Sequence, residues 1–311
     1  MKSFQELRII FLGTPDFAVA SLKALLDAGA TIIAVVTAPD KPAGRGMHLH
    51  ESAVKQFALA NNLYLLQPEK LKAPEFISEL HRLNADLQIV VAFRILPEMV
   101  WNMPPMGTIN VHASLLPMYR GAAPINWAII NGEKQTGVTT FKLKHEIDTG
   151  DILLQETIDI VPEDTAGTLH DKLMDAGAKL LVTSVKSCAT DSIKEIPQKD
   201  IPVVDLRNAP KIFKTHCEIN WHKTSSEINN QIRGLSPYPT AFTFLAGKQI
   251  KVFKSHYLLE NHNKEMGIFE TDHQSFLRFA TIDGWLYIEE LQQEGKKKLD
   301  ILTFLRGFRA S

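Results

Sequence analysis

Apolar runs alternate with helix-spaced apolar patterns along the first half of the chain. Five runs have the continuous apolar character of buried strands: LRIIFLG, TIIAVVT, LYLLQ, LQIVVA and GTINVH. Three stretches have apolar residues at helical spacing: FAVASLKALLDAGA, PEFISELHRLN and, after Thr165 as an N-cap, AGTLHDKLMDAGAKLLVTSVKSCA. Apolar strands separated by helices are typical of a mostly parallel sheet covered on both faces. The pattern therefore predicts an α/β, doubly wound domain that a long helix closes.

The last third of the chain has a different pattern. Residues 191–210, DSIKEIPQKDIPVVDLRNAP, contain three prolines and little periodicity, which is typical of a linker. Short alternating runs follow and predict strands of a small antiparallel barrel or sandwich: QIKVFKSHYL, SFLRFAT, GWLYIEELQ and ILTFL. The sequence thus predicts a first domain over 1–190, a linker over 191–210 and a second domain over 211–311.

Composition and charge narrow the class of protein. The 311 residues are 45% hydrophobic and 22% charged, with a formal net charge of -1, as expected of a globular protein with one or two domains. The chain has no apolar run long enough to span a membrane, and MKSFQELRIIFLG is a strand pattern and not a leader, so we expect a cytoplasmic protein. Cys188 and Cys217 have no metal-ligand spacing, and we expect no metal.

Charge is distributed unevenly between the two predicted domains. From Arg207 to the end, fifteen Lys and Arg stand against eleven Asp and Glu, a balance of +4 that leaves -5 for residues 1–206. A C-terminal domain with this balance suits an anionic partner, although a mixed solvated surface would have the same composition.

Two polar side chains stand on one predicted buried strand. In GTINVH, alternation places Asn110 and His112 on the same side of the strand. In open parallel sheets, ligands bind beyond the carboxyl ends of the strands, where these residues would lie. Dinucleotide binding is disfavoured, because the first turn is GTPDFA instead of GxGxxG and Pro15 removes a backbone donor.

The residue types at this strand end suit acyl transfer. A carboxamide can donate to a developing oxyanion, and an imidazole can move a proton near neutral pH. No serine or cysteine occupies an elbow position, so the pattern favours direct transfer between two bound substrates through a tetrahedral intermediate. HEIDTGDILLQ predicts a turn before a strand, with Asp148 in the turn as a natural partner to orient and charge His112. A purely structural Asn and His at a strand end remains the alternative interpretation.

The longest motif resembles the folate-dependent formyltransferases. NVHASLLPMYRGAAPINWAIINGE, followed by IDTGDIL, is similar to that family's Asn-x-His strand, Ser-Leu-Leu-Pro, Arg-Gly and Asp-Thr-Gly segments. Four further segments resemble the branch of the family that acts on initiator tRNA: IIFLGTPDFAVASL, TAPDKPAGRG, AFRILP and IRGLSPYPTAFT. The resemblance implies a Rossmann-like domain followed by a small OB-like β-barrel, and transfer of a formyl group from 10-formyltetrahydrofolate to methionine on initiator Met-tRNA.

The resemblance also implies roles for individual residues. Asn110, His112 and Asp148 match the catalytic residues, with Asp148 holding the imidazole and favouring its cationic form. The segments expected to bind the folate co-substrate comprise eight residues: Ser114, Leu115, Leu116, Pro117, Phe93, Ile95, Leu96 and Pro97. Lys41 and Arg45 match the loop that approaches the acceptor stem of the tRNA. The expected partners are initiator Met-tRNA and folate, without a membrane, and the expected state is a monomer.

The chain departs from the family pattern at four positions. Met47 and His48 stand where the family commonly has two lysines, Arg94 where a glycine is usual, and Ala113 where a glycine is common. Two alternative functions remain: formylation of a nucleotide-linked amino sugar, and RNA binding without catalysis. A binding protein has no need for a donor, an imidazole and a carboxylate in one pocket, and the AGRG loop and the C-terminal domain argue against the amino sugar branch.

Overall fold

Strands and helices alternate along the chain in the computed structural model, which describes residues 2–43 and 48–308. The strands in chain order are β1 (Arg8–Gly13), β2 (Thr31–Val36), β3 (Lys41–Ala43), β4 (His48–His50), β5 (Leu65–Leu66), β6 (Leu87–Val91), β7 (Thr108–His112), β8 (Arg120–Gly121), β9 (Gln135–Lys142), β10 (Ile152–Asp159), β11 (Asn208–Ala209), β12 (Ala241–Leu245), β13 (Lys248–Leu259), β14 (Phe269–Thr271), β15 (Leu277–Ala280), β16 (Gly284–Gln293) and β17 (Leu299–Asp300). The helices are α1 (Asp16–Asp27), α2 (Ala53–Ala60), α3 (Pro74–Leu83), α4 (Glu98–Trp101), α5 (Pro124–Ile130), α6 (Ala166–Ala189), α7 (Ser225–Leu235) and α8 (Ile301–Gly307).

A seven-stranded sheet organises the N-terminal part of the chain. Its strand order is β10-β9-β7-β6-β1-β2-β5, and the neighbours from β7 to β5 are parallel while β9 runs antiparallel to β7. Strand β1 is buried from Ile9 to Gly13, so it has no polar face, as expected of a strand covered on both sides. Helix α6 covers the stretch that the sequence predicts as the closing helix, which confirms that prediction.

The register of β6 and β7 determines where the polar side chains emerge. These parallel strands pair Val90 with Asn110 and Val91 with Val111, so both strands end at the same edge of the sheet. The turn that follows β6 therefore lies beside the end of β7, as the carboxyl edge of a parallel sheet requires.

Strand β9 is an element that the apolar pattern does not predict. Its sequence, QTGVTTFK, has few apolar residues, yet it is buried from Thr136 to Phe141. Thr140 shares a 2.6 Å hydrogen bond with Ser184, which satisfies its hydroxyl inside the protein. A buried strand rich in threonine has the composition of an exposed segment, so hydrophobicity alone misses it.

The C-terminal part contains a six-stranded antiparallel sheet. Its order is β12-β13-β16-β15-β14, with β17 paired to β16. Helix α7 begins at a capping box formed by Thr224 and Glu227 and contributes Ile228, Ile232 and Leu235 to the core of this sheet. Because the path has two end strands, the sheet is an open half-barrel.

One predicted strand of the C-terminal domain is wrong. The run ILTFL forms α8 and not a strand, because Asp300 caps the helix by accepting a hydrogen bond from the Thr303 N–H at 2.9 Å. The apolar residues of this short run fit either period, and the N-cap favours the helix.

The chain forms two compact units that do not follow the sequence in single blocks. The first comprises residues 1–120, 137–158 and 171–207, and the second comprises 121–136, 159–170 and 208–311. The predicted fold class, a doubly wound α/β domain followed by a small antiparallel β-barrel domain, is confirmed. No helix within the described ranges is long and apolar enough to cross a membrane.

Candidate active site

Strand β7 carries the first two predicted catalytic residues to the carboxyl edge of the sheet. Asn110 lies between Val90 of β6 and Phe141 of β9 and is half-buried. His112 ends the strand and is 7% exposed. A carboxamide and an imidazole thus reach the same side of a rigid strand, where a ligand can contact both.

The His112 ring is fixed by a backbone carbonyl. Its Nε2 donates a 2.8 Å hydrogen bond to the carbonyl oxygen of Tyr119. A carbonyl only accepts, so the Nε2 atom carries a proton, and the Nδ1 atom of the neutral ring carries the lone pair. Tyr119 is itself buried and has a φ of 59°, and its N–H donates to the carbonyl of Arg207 at 2.6 Å.

Asp148 approaches the other nitrogen of the same ring. Its Oδ2 lies 3.8 Å from Nδ1 of His112, and its side chain is 11% exposed. This distance is longer than a hydrogen bond but within the range of an ion pair once the ring is protonated. The structure thus brings Asp148 to His112 as the sequence suggests.

The loop that carries Asp148 joins β9 to β10 and is held by several contacts. Asp148 has a φ of 55°, a left-handed conformation that is uncommon outside glycine, although aspartate tolerates it better than most residues. The side chain of Gln198 donates to the carbonyl oxygens of Asp148 and Gly150, both at 2.8 Å. Thr149 donates to the carbonyl of Glu146 at 2.9 Å, so the loop is closed on itself.

Gly150 is required by a close backbone approach. A Cβ at this position would lie 1.6 Å from the carbonyl oxygen of Lys142, which is far inside van der Waals contact. The glycine of the Asp-Thr-Gly motif therefore lets the loop return against β9, and it places Asp148 at the end of the strand.

The segment after His112 is mostly committed to the protein interior. The Ser114 hydroxyl is fully buried and donates to the carbonyl of Met118 at 2.6 Å, and Leu116 packs in a small core cluster with Phe141. Pro117 is buried, and Leu115 is half-buried. These four predicted cofactor residues therefore offer little exposed surface to a ligand, and they determine the shape of the site instead.

Two side chains of the sheet hold this segment in place. Thr139 on β9 donates to the carbonyl of Ser114 at 2.6 Å and accepts from the N–H of Leu116 at 3.1 Å. Gln155 on β10 donates to the carbonyl of Leu116 and to the Thr139 hydroxyl, both at 2.9 Å. Sequence reasoning missed both, because neither belongs to a recognisable motif and each acts across strands.

The turn after β6 offers the more accessible apolar surface. Ile95 is 77% exposed and Phe93 is half-buried, whereas Leu96 belongs to the core and Pro97 precedes α4 as its N-cap. An exposed isoleucine beside a half-buried phenylalanine is suited to contact a flat ring.

Arg94 lies over the Phe93 ring and reaches the loop that follows β5. Its guanidinium donates to the carbonyls of Pro68 and Glu69 at 2.8 and 3.0 Å and lies 5.2 Å from the centre of the Phe93 ring. Its Nε is buried without a hydrogen-bond partner, and burial lowers the pKa of the guanidinium. Arg94 thus connects two loops. Its own φ is negative, so this position does not require a glycine.

The loop expected to contact tRNA is anchored at its base. Lys41 is exposed on β3, while Arg45 and Met47 lie outside the described residues. Asp40 pairs with Lys55 and accepts from the Gln67 amide at 2.9 Å, and these hydrogen bonds hold the pKa of the Asp40 carboxyl below its usual range. These contacts hold Asp40 in place immediately before Lys41.

The part of the chain that the structure describes contains no cluster of side chains that could bind a metal ion. No group of three His, Cys, Asp or Glu side chains with metal-binding geometry occurs among residues 2–43 and 48–308. The polar residues at the end of β7 are instead suited to hydrogen bonding and proton transfer.

Comparisons with known proteins match both parts of the chain. A family model described as formyl transferase matches residues 7–185, and one described as formyl transferase, C-terminal domain, matches residues 211–309. Methionyl-tRNA formyltransferase from Bacteroides thetaiotaomicron is 50% identical over 313 residues, covering 99% of this chain and 97% of that protein. The same enzyme from Bacteroides fragilis is 51% identical over 310 residues, covering 98% and 96%.

A solved structure supports the fold. The crystal structure of WlaRD, a sugar 3N-formyl transferase in the presence of dTDP and 5-N-formyl-THF, has a TM-score of 0.66 and 24% sequence identity. The match covers 94% of this chain and 99% of that chain. At this identity the likeness concerns the fold and leaves the substrate open.

Proposed function

This chain belongs to the formyl transferase family, and from that membership we propose that it transfers the formyl group of 10-formyltetrahydrofolate to the methionine amino group of initiator Met-tRNA. One observation carries the proposal. Asn110, His112 and Asp148 lie at the carboxyl edge of the sheet in a chain that is 50% identical to a methionyl-tRNA formyltransferase over nearly its whole length.

The residues around the turn after β6 fit the folate. Folate supplies an activated formyl group and a flat ring system that needs apolar contacts. Ile95 and Phe93 provide that surface, and Leu96 and Pro97 fix the turn beneath it. The segment from Ser114 to Pro117 supports the opposite side of the proposed folate site through its fixed backbone.

Asn110 and His112 divide the chemistry of the transfer between them. The carboxamide of Asn110 donates to the formyl oxygen as negative charge develops on it in the tetrahedral intermediate. His112 uses Nε2 to donate to Tyr119, so Nδ1 is the atom that accepts the proton lost by the attacking amine. The backbone carbonyl thereby selects which nitrogen acts as the base. As the intermediate collapses, the bond between the formyl carbon and N10 of the folate breaks, and Nδ1 returns the proton to that leaving nitrogen.

Asp148 acts on the same proton. When Nδ1 of His112 takes a proton, the ring becomes a cation with a carboxylate 3.8 Å from the charged nitrogen. The nearby negative charge stabilises that cation, so proton transfer and carboxylate placement are coupled. Asp148 is therefore a partner of the base and does not itself attack the substrate.

The tRNA is held by basic side chains on both parts of the chain. Lys41, and with it Arg45, contacts backbone phosphates of the acceptor stem. We assign residues 1–190 to the catalytic domain, 191–210 to the linker and 211–311 to the β-barrel domain that binds tRNA. The two matched family regions, 7–185 and 211–309, support these bounds.

The enzyme acts as a monomer in the cytoplasm, where charged initiator tRNA is used. Sedimentation of the purified protein at micromolar concentration tests the first part. A mass of one chain is expected, and a stable dimer would overturn it.

A direct assay tests the function. Purified protein is incubated with 10-formyltetrahydrofolate and charged initiator tRNA, and formylmethionyl-tRNA is the expected product. A parallel reaction offers a nucleotide-linked amino sugar as the acceptor, since WlaRD shares the fold. Formylation of the sugar without formylation of the tRNA would overturn the assignment.

A further inference from the structure

Gln198 is a buried side chain that contacts the loop carrying Asp148. It is 3% exposed and lies between the regions that the two family models match. Its Nε2 donates to the carbonyl oxygens of Asp148 and Gly150, both at 2.8 Å. One amide group therefore holds the backbone on both sides of Thr149.

Arg120 fixes the orientation of the Gln198 amide. The guanidinium donates to Oε1 of Gln198 from Nε at 3.0 Å and from Nη2 at 2.6 Å. A guanidinium has only donors, and a carbonyl oxygen only accepts. Reversing the amide would therefore place its NH2 group against the guanidinium and its oxygen against the two carbonyl oxygens. The contacts form a chain from Arg120 through Gln198 to the loop.

The backbone beside Gln198 is attached to the same strand that the loop enters. Ile196 and Ile152 exchange two hydrogen bonds, at 2.8 and 2.9 Å, and Ile152 is the first residue of β10. Gln198 begins a short 3-10 turn, Gln198–Asp200, two residues later. Its amide is thus fixed relative to the sheet that carries His112.

We propose that Gln198 is a positioning residue for formyl transfer, which holds the Asp148 loop so that the carboxylate faces Nδ1 of His112. This inference rests on the proposed role of Asp148. Asp148 has a left-handed backbone that costs conformational energy and persists only when its surroundings hold it. The hydrogen bonds to its own carbonyl and to that of Gly150 supply that constraint.

Gln198→Glu tests the proposal with almost no change of shape. A carboxylate retains the acceptor for Arg120 but presents an oxygen to the carbonyls of Asp148 and Gly150, so the loop side alone loses its hydrogen bonds. We expect kcat to fall about 10- to 100-fold, as small misplacements of catalytic groups do, while KM for folate and tRNA stays within about twofold.

Gln231→Glu is the matched control. Gln231 also clamps two backbone carbonyls, those of His216 and Glu218 at 2.9 and 3.0 Å, but it belongs to the C-terminal unit. The same substitution there should lower thermal stability and leave kcat unchanged. An equal loss of kcat in both variants would overturn a specific role for Gln198.

A double-mutant cycle with Asp148→Asn separates positioning from general support of the fold. If Gln198 acts through Asp148, Gln198→Glu lowers kcat much less in the Asp148→Asn background than in the wild type. Additive losses, or a Gln198→Glu enzyme with wild-type kcat, overturn the proposal. If Asp148→Asn itself retains wild-type kcat, the proposed function of the site fails, which is a distinguishable result.

Arg120→Lys provides the test if Glu at position 198 prevents folding. Lysine keeps the charge but cannot donate from two fixed nitrogens to one amide oxygen, so the Gln198 amide is held less firmly. A kcat decrease that Asp148→Asn again suppresses supports the same chain of contacts. An unchanged kcat in a folded Arg120→Lys enzyme overturns it.

Discussion

The Tyr119 carbonyl accepts a hydrogen bond from Nε2 of His112, so Nδ1 is the nitrogen of the neutral ring that can accept a proton. In many catalytic histidines a carboxylate orients the ring, whereas here the Tyr119 carbonyl occupies Nε2 and the carboxylate of Asp148 faces Nδ1. In the proposed mechanism, the nitrogen that takes the proton is therefore also the nitrogen that faces the carboxylate. A small movement of the Asp148 loop would then change the charge stabilisation at that nitrogen.

Replacing Asn110 with alanine tests its role as an oxyanion donor. A donor that acts mainly on developing charge contributes to the transition state, so we expect Asn110→Ala to lower kcat about 10²- to 10³-fold with little change in the folate KM. Steady-state kinetics with charged initiator tRNA provide the measurement. Asn261→Ala, at an exposed position of the C-terminal unit, serves as the control. A raised KM with unchanged kcat would make Asn110 a ground-state binding residue instead.

The individual site residues differ in how far the sequence could predict them. Asn110, His112 and Asp148 belong to motifs, so they could be named, although their roles stay predictions. Gln198 stands in a proline-containing segment that the pattern assigns to a linker, fifty positions from the carbonyl it binds. No periodicity or spacing relates two such positions, because the contact exists only when Ile196 pairs with Ile152.

At the scale of elements, the pattern predicts an element correctly where the buried positions are apolar and the exposed positions are polar. Helix α6 is predicted over its full length because its apolar residues recur at helical spacing. Strand β9 is missed because its threonines are buried, and α8 is taken for a strand because five residues are too few to define a period. The motif thus predicts the loop between β9 and β10 and the strand that follows it, whereas β9, the strand before the loop, is not predicted.

Gly150→Ala should disturb that loop. The new methyl group would lie 1.6 Å from the Lys142 carbonyl oxygen, so the backbone must move and carry Asp148 with it. We expect a kcat decrease of about 10²-fold together with a lower melting temperature. Gly307→Ala is the control, because among the described residues its methyl group on α8 would meet no atom within 4 Å beyond its chain neighbours and the helix backbone, and alanine favours a helix. Wild-type kcat in Gly150→Ala would show that the loop position is not critical.

The turn between β14 and β15 should make stability depend on pH. The Asp272 carboxylate accepts hydrogen bonds from the Ser275 hydroxyl and from the N–H groups of Ser275, Gln274 and Phe276, which hold its pKa well below the ordinary 3.8. Because the folded-state pKa is lowered, this stabilisation is present above about pH 4 and is lost as the pH falls further.

Thermal unfolding of Asp272→Ala and the wild type measures this effect. The difference in melting temperature should be largest near pH 7 and shrink as the pH is lowered towards 2. Asp272→Asn keeps an acceptor oxygen without the charge, so its melting temperature should fall between the two at pH 7. A difference that is constant across this range would exclude the carboxylate as its cause.

At the scale of the whole molecule, charge and fold divide the chain in similar places. The composition predicts an acidic α/β part and a basic β part, and the structure confirms both folds. The sequence does not predict that residues 121–136 and 159–170 belong to the C-terminal unit, because they lie among segments of the first domain. Assignment by linear segments cannot detect such an exchange, which depends on packing between elements distant along the chain.

The positive balance of residues 207–311 should make tRNA binding depend on salt. Lys296 and Lys297 are exposed and line a cavity of about 460 Å³, whereas the neighbouring Lys298 pairs with Glu290 at 2.7 Å. If the first two lysines neutralise phosphates, their replacement with alanine should raise the KM for tRNA. It should also lower the slope of log KM against log salt by about one per lost phosphate contact, because fewer counterions are released.

The folate KM separates this electrostatic effect from damage to the active site. It should stay unchanged in the Lys296→Ala, Lys297→Ala enzyme at every salt concentration, since the proposed folate site lies at the carboxyl edge of the other unit's sheet. Lys23→Ala, at an exposed lysine of α1, removes one charge from the N-terminal unit and should leave the tRNA slope unchanged. Equal slopes in the wild type and the double variant would show that these lysines do not contact phosphate, and that the positive balance of residues 207–311 acts elsewhere.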